Sequence, residues 1–125
     1  MPDYDDRLFS PAAPVIRATL RNPHTGKSQS DVLMLIDSGS DVTLLPRSAT
    51  EPLGFELSGA SYKLTGFDGT TSLSEAVQAE LAFLGKVFRG QFLLIDQEVG
   101  ILGRNILNQV RLLLDGPGLR WEEQK

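Results

Sequence analysis

The residues best equipped for chemistry form a polar knot, Asp37, Ser38, Gly39, Ser40 and Asp41, set between two apolar runs at residues 32–36 and 42–45. A carboxylate delivered into apolar surroundings carries a desolvation cost unless it is hydrogen-bonded or shares a proton. Gly39 lets backbone donors approach closely, and Ser38 and Ser40 supply hydroxyls. Together these suit a carboxylate held rigidly and used for acid–base work. Two plainer readings stand beside this one. Asp, Ser and Gly are all turn formers, so the triplet alone also reads as an ordinary turn. The acidic residues around Ser38 and Ser40 also fit a phosphorylated recognition motif, but such motifs need exposed, extended surroundings, and these serines lie between apolar runs.

Other chemistries are removed by composition. The 125 residues contain no cysteine, which excludes disulfides, thiolate zinc sites and cysteine nucleophiles. The single histidine, His24, lies in Arg21-Asn22-Pro23-His24-Thr25-Gly26-Lys27 and reads as an exposed turn residue, so a His-rich metal site is excluded. The net charge is −4 and no basic cluster is present, which leaves a nucleic-acid or anionic-membrane partner without electrostatic support. No apolar stretch reaches the roughly 20 residues of a membrane span. The first residues are acidic and polar, unlike a signal peptide. A cytoplasmic location is expected, although a soluble piece of a longer protein reads the same way.

The elements that must position the knot are mostly strands. Residues 1–13 read as a loose polar arm and residues 14–125 as one domain. Strands are expected at residues 14–20, 31–36, 42–45 and 86–96, the second covered on both faces. Pro46 stops the third strand, and residues 47–60, with Pro52, Gly54 and Gly59, read as irregular. Tyr62 and Leu64 lead into a turn at Gly66, Phe67, Asp68 and Gly69, where Asp-Gly signals a hairpin. Residues 73–85 are ambiguous. Leu73, Val77, Leu81 and Phe83 follow a period of two, whereas Leu73, Ala76, Val77, Leu81 and Leu84 fit a helix, and Ser72 with Glu75 mimics a capping box. A short helix is expected within residues 103–109. Two strands follow within residues 110–123, joined at Asp115, Gly116, Pro117 and Gly118. The fold class is all-β with one short helix.

Leu33-Met34-Leu35-Ile36-Asp37-Ser38-Gly39-Ser40 resembles the active-site segment of aspartic proteases, whose pattern is apolar, apolar, Asp, Thr or Ser, Gly, Ala or Ser. Gly100-Ile101-Leu102-Gly103-Arg104-Asn105-Ile106-Leu107 matches the second half of the signature as retropepsins carry it. The resemblance to the retropepsin-like family spans residues 15–114. It implies a closed β-barrel with a flap hairpin and one short C-terminal helix, and it settles residues 73–84 as strand. It makes Asp37, Ser38 and Gly39 the catalytic segment. It places Ser40, Asp41, Gly66, Phe67, Asp68, Gly69 and Ile101 against substrate, with Phe67 either covering the substrate or packing at the flap base. Gly103 is then the point of close packing beside the catalytic loop. Arg104 is expected to reach the Asp41 carboxylate, and Asn105 to support the same region.

The reaction implied is hydrolysis of a peptide bond by water activated between two aspartates that share one proton. The chain has one Asp-Ser-Gly, so the resemblance implies a homodimer with one Asp37 from each copy at the twofold axis, acting on a peptide or protein without metal or organic cofactor. Ser38 would brace the two loops across the axis. The Ser40 hydroxyl would donate to the Asp37 carboxylate and favour its ionised form, so an acidic optimum that moves upward in Ser40→Ala is expected. The C-terminal stretch is longer than a viral chain needs and is closer to cellular relatives of the DNA-damage-inducible type. Leu112–Leu114 and Trp121 are expected as interface strands, with Trp121 as a core aromatic the equal alternative. Two other functions stand beside the endopeptidase: a catalytically silent dimer of the same fold that binds peptides or links partners, and a monomeric barrel in which Asp37 is a turn residue.

Overall fold

The computed structural model describes residues 3–56, 62–65 and 69–125, without the side chains of residues 62–64, 72 and 73. Six strands close into a ring: β2 (Ala13–Arg21), β3 (Ser28–Ile36), β9 (Gly100–Leu102), β4 (Leu44–Pro46), β8 (Lys86–Ile95) and β7 (Ala76–Phe83), with β7 returning to β2. The closing seam is short, Thr19 to Arg21 against Glu80 to Ala82. Alternation decides which side chains enter the barrel. On β2, Ile16, Ala18 and Leu20 point inward and Arg17 and Arg21 outward; on β7, Val77, Ala79, Leu81 and Phe83 point inward and Gln78 outward. They meet Met34, Leu45, Leu94 and Leu102 in one core. The local helical signal at residues 73–84 loses because β7 pairs with β8 over eight consecutive positions, and that ladder uses the period of two.

The strand expected to be covered on both faces, at residues 31–36, is fully buried on one only. Val32 and Met34 are buried, whereas Leu33, Leu35 and Ile36 are half-buried. β3 also begins earlier than expected, at Ser28. Its pairing with β2 slips between Ala18–Val32 and Leu20–Gln29, a bulge at which Asp31 takes φ 57°. Asp tolerates this left-handed conformation better than most residues, which lets the strand continue through it.

Residues 47–53, within the stretch read as irregular, form one α-turn, α1 (Arg47–Thr50), and a 3₁₀ turn (Glu51–Leu53). The buried Asn22 side chain donates to the Leu53 carbonyl at 2.8 Å, fixing this segment to the β2–β3 turn. The expected short helix is present as α2 (Arg104–Leu107). Part of the segment read as a loose arm is paired: β1 (Tyr4–Asp5) lies against Pro14 and Ala13, and the Val15 amide donates to the Asp3 carbonyl at 2.8 Å.

Two hairpins stand apart from the barrel ladder. β5 (Tyr62–Thr65) pairs with β6 (Thr71–Ser74), and β10 (Leu112–Asp115) with β11 (Arg120–Glu123). The second is anchored by Trp121, whose indole N–H donates to the Val15 carbonyl at 2.8 Å, and by a 2.7 Å ion pair between Lys86 and Glu123. Among the described residues no helix is long and apolar enough to cross a membrane.

Candidate active site

β3 ends where the polar knot begins. The Asp37 amide donates to the Leu102 carbonyl at 3.0 Å, one step past the parallel ladder of β3 with β9. The chain then turns on its own side chain: the Gly39 amide donates to Asp37 Oδ1 at 2.9 Å, and the Ser40 amide to the Asp37 carbonyl at 3.2 Å. An amide aimed at a carboxylate oxygen makes a charge-assisted bond and fixes the plane of the group. Asp37 is half-buried, while Ser38, Gly39 and Asp41 are exposed. The carboxylate therefore sits at the mouth of the barrel, rigid on the protein side and open outward.

The segment after β9 clasps this loop. Gly103 is buried, and a Cβ on it would collide with the Val42 carbonyl oxygen, so no other residue fits so close a crossing. The Arg104 amide donates to the Ser40 carbonyl at 2.8 Å, and Arg104 Nη1 to the Ser38 carbonyl, also at 2.8 Å. Thr43, buried in the loop's far end, accepts from the Gly103 amide at 3.0 Å and donates to Asn105 Oδ1 at 2.7 Å. Loop and clasp are thus joined at both ends. Ile101 lies half-buried between Leu35 on β3 and Leu44 on β4.

Two expected contacts differ. Arg104 meets the Ser38 carbonyl rather than the Asp41 carboxylate. Asp41 stays hydrated at little cost on the surface, whereas the Ser38 carbonyl lies beyond the strand ladder and gains from a donor. The Ser40 hydroxyl donates to the Val42 carbonyl at 2.7 Å, two residues on, as serine often does with its local backbone. It is therefore not the donor to Asp37, and the expected upward shift in Ser40→Ala loses its cause. Gly69 has φ 83°, a conformation suited to glycine in a hairpin turn. Gly66, Phe67 and Asp68 lie outside the described residues.

Thr43 joins the loop to the clasp, yet it is not among the residues the sequence singles out. The signal was one polar residue inside the second apolar run, Val42-Thr43-Leu44-Leu45. A hydroxyl placed there must find buried partners, and Gly103 and Asn105 supply them. No group of three or more His, Cys, Asp or Glu side chains among the described residues is placed to hold a metal ion.

Comparison with known proteins follows this geometry. Residues 24–106 match the sequence pattern of a family described as aspartyl protease. The match covers both the knot and the clasp. Among solved structures, the fold is similar to that of EIAV protease complexed with the inhibitor HBY-793, with a TM-score of 0.57 and 21% identity over 78% of this chain and 86% of that one.

Proposed function

Because the chain belongs to the aspartyl protease family and has the retropepsin fold, we propose that it is an endopeptidase whose active site is completed by a second copy of itself. The observation that carries this reading is the Asp37 carboxylate, fixed by the Gly39 amide at 2.9 Å and open outward. Each chain supplies one such group, and the reaction needs two. A C2 dimer supplies the second by symmetry.

In this arrangement two carboxylates about 3 Å apart do not both ionise, so the pair holds one proton. The ionised Asp37 takes a proton from a water held between them, and the water oxygen attacks the scissile carbonyl carbon. The protonated Asp37 gives its proton to the carbonyl oxygen, forming a neutral tetrahedral diol. Collapse of the diol breaks the C–N bond: the leaving nitrogen gains the proton of one carboxyl while the other carboxylate takes a proton from a diol hydroxyl, so the products are a carboxylic acid and an amine and the pair again holds one proton. No step calls for a metal or organic cofactor. Ser38, exposed beside the axis, braces the two loops. The β5–β6 hairpin serves as the flap over an extended peptide, its backbone adding hydrogen bonds to the substrate. Gly69, between β5 and β6, with Ser40, Asp41 and Ile101 on the barrel side, forms substrate contacts, and the family resemblance adds Gly66, Phe67 and Asp68, which lie outside the described residues.

The C-terminal hairpin suits the interface. Of five exposed large apolar side chains among the described residues, Leu113, Leu114 and Leu119 belong to this hairpin, each about half exposed. Leu113 and Leu114 are adjacent on β10, so both faces of the strand carry apolar surface. β10 and β11 pair only with each other among the described residues. An unpaired strand edge of this kind is a ready template for a second strand.

The test is cleavage of a peptide library by the wild type and by Asp37→Asn, with a pepstatin-type inhibitor as companion. Cleavage by the wild type alone, stopped by the inhibitor, is expected. Equal cleavage by both proteins would end the assignment, and a dimer that binds peptides without cutting them would favour the silent alternative.

A further inference from the structure

The β5–β6 hairpin pairs with no barrel strand among the described residues, so its orientation depends on its root. That root lies where β6 passes into β7. Ser74 is buried there, and its hydroxyl donates to the Leu94 carbonyl at 2.6 Å and accepts from the Leu94 amide at 3.0 Å. Glu75, the residue between the two strands, turns toward Arg47 at the start of α1. Asp96, just beyond β8, accepts from Arg47 Nε at 2.7 Å. Arg47 Nη1 stands 3.5 Å from Glu75 Oε2. That oxygen is sealed from water and has no hydrogen-bond partner among the described residues, although the Glu75 side chain as a whole is 41% exposed. The Asp96 hydrogen bond is the main cause holding the Arg47 guanidinium above its usual value; burial opposes it, the charges of Asp96 and Glu75 add to it, and the 3.5 Å approach to Glu75 adds a weak polar contact, too long and misaligned for a full hydrogen bond.

We infer that Arg47 is a positioning residue for the β5–β6 hairpin, acting through Glu75, with Asp96 setting the direction in which Arg47 points. This rests on reading that hairpin as the part of the proposed protease that covers substrate. The guanidinium is a rigid plane with its donors in a fixed fork. Once Nε is committed to Asp96, the direction of Nη1 is fixed. A carboxylate oxygen removed from water and short of a donor is costly. Ser74 is already held to Leu94, and the Glu75 carbonyl accepts from the Leu94 amide at 3.0 Å, so the backbone of the root is fixed and the Glu75 side chain is the part that answers to Arg47. The 3.5 Å ion pair adds a side-chain hold to that backbone hold. Neither acid is on the hairpin strands themselves, so this hold acts at the root without altering the β5–β6 pairing.

The test uses the whole chain. In Arg47→Gln, amides of residues 62–65 and 71–74 should exchange with deuterium about fivefold faster without substrate, the upper range for a partly exposed ion pair. Amides of β3 should be unchanged. On a cleavable peptide, KM should rise about fivefold with kcat nearly constant. Glu75→Gln should match Arg47→Gln, and the double variant should be no worse than either, since both remove one contact. Unchanged hairpin exchange in Arg47→Gln overturns the inference. So does an acceleration spread evenly over the barrel, which would mean a general loss of stability. If the wild type cleaves no peptide, the protease reading fails, while the exchange experiment still decides whether Arg47 holds the hairpin.

Discussion

Thr43→Val tests how the loop that carries Asp37 is held. Valine keeps the shape of threonine but carries no hydroxyl. The Gly103 amide then loses its 3.0 Å acceptor inside the protein, and Asn105 loses its 2.7 Å donor. Asn105 is exposed, so water replaces that donor at little cost, but Gly103 is buried and its amide has no such recourse. An unsatisfied buried donor costs about 1–3 kcal/mol. For a chain of this size the unfolding entropy is near 0.26 kcal/mol per degree, so Tm should fall by about 4–11 °C. Thr43→Ser keeps the hydroxyl and should lose much less. Thermal unfolding by circular dichroism, at one fixed protein concentration, measures both. Peptidase kcat should fall at least about tenfold in Thr43→Val, because a shift near 1 Å in a loop that carries the reacting group is costly, with KM little changed. The reasoning is refuted if Thr43→Val melts with the wild type, or if Thr43→Ser is as unstable as Thr43→Val.

Three further outcomes follow from the same structure. Gly103→Ala drives a methyl into the Val42 carbonyl oxygen, so it should cost about 3 kcal/mol or more and yield little folded protein, read by soluble expression and near-ultraviolet dichroism. Glu80 is held below the usual carboxylate range by hydrogen bonds from Arg89 on the neighbouring β8 and then from Arg21 across the barrel seam. Its contribution is full above the unfolded value and is lost as pH falls through the lower folded one; Glu80→Gln should therefore destabilise the protein near neutrality, with the difference from wild type vanishing in strong acid, as denaturant titrations at several pH values will read. Charged substitution of both Leu113 and Leu114 by Lys should give a folded monomer in sedimentation, inactive at concentrations where the wild type works; an active dimer of that variant would place the interface elsewhere.

The mostly-β composition of the fold was legible from the apolar strands and the turn residues between them, whereas β7 was ambiguous by its own pattern, and its strand and the closed barrel followed from the resemblance to the retropepsin-like family. That the knot and the Gly103 clasp meet was legible because they are two segments whose residue types carry their own constraints. What escaped notice depended on local competition. Ser40 and Arg104 are expected to reach carboxylates, but the Val42 and Ser38 backbone carbonyls take their donors instead. Thr43 hid inside an apolar run, since its partners come from 60 and 62 residues away. The helical turn at Arg47 followed a proline that reads as a stop, and only its attachments to Asp96 and to the β2–β3 turn reveal its place. The bulge at Asp31 depends on register, which a single strand's pattern does not state.

Subunit mixing tests the two-carboxylate site most directly. Wild type and Asp37→Asn are dissociated together, reassociated at varied ratios with total protein constant, and assayed on one peptide. If each active site draws Asp37 from both copies, activity falls as the square of the wild-type fraction, to about a quarter at an equal mixture. A linear fall, to about half, would mean that each chain acts alone with its own carboxylate, and retention of about three quarters that one carboxylate per dimer suffices; either contradicts the account.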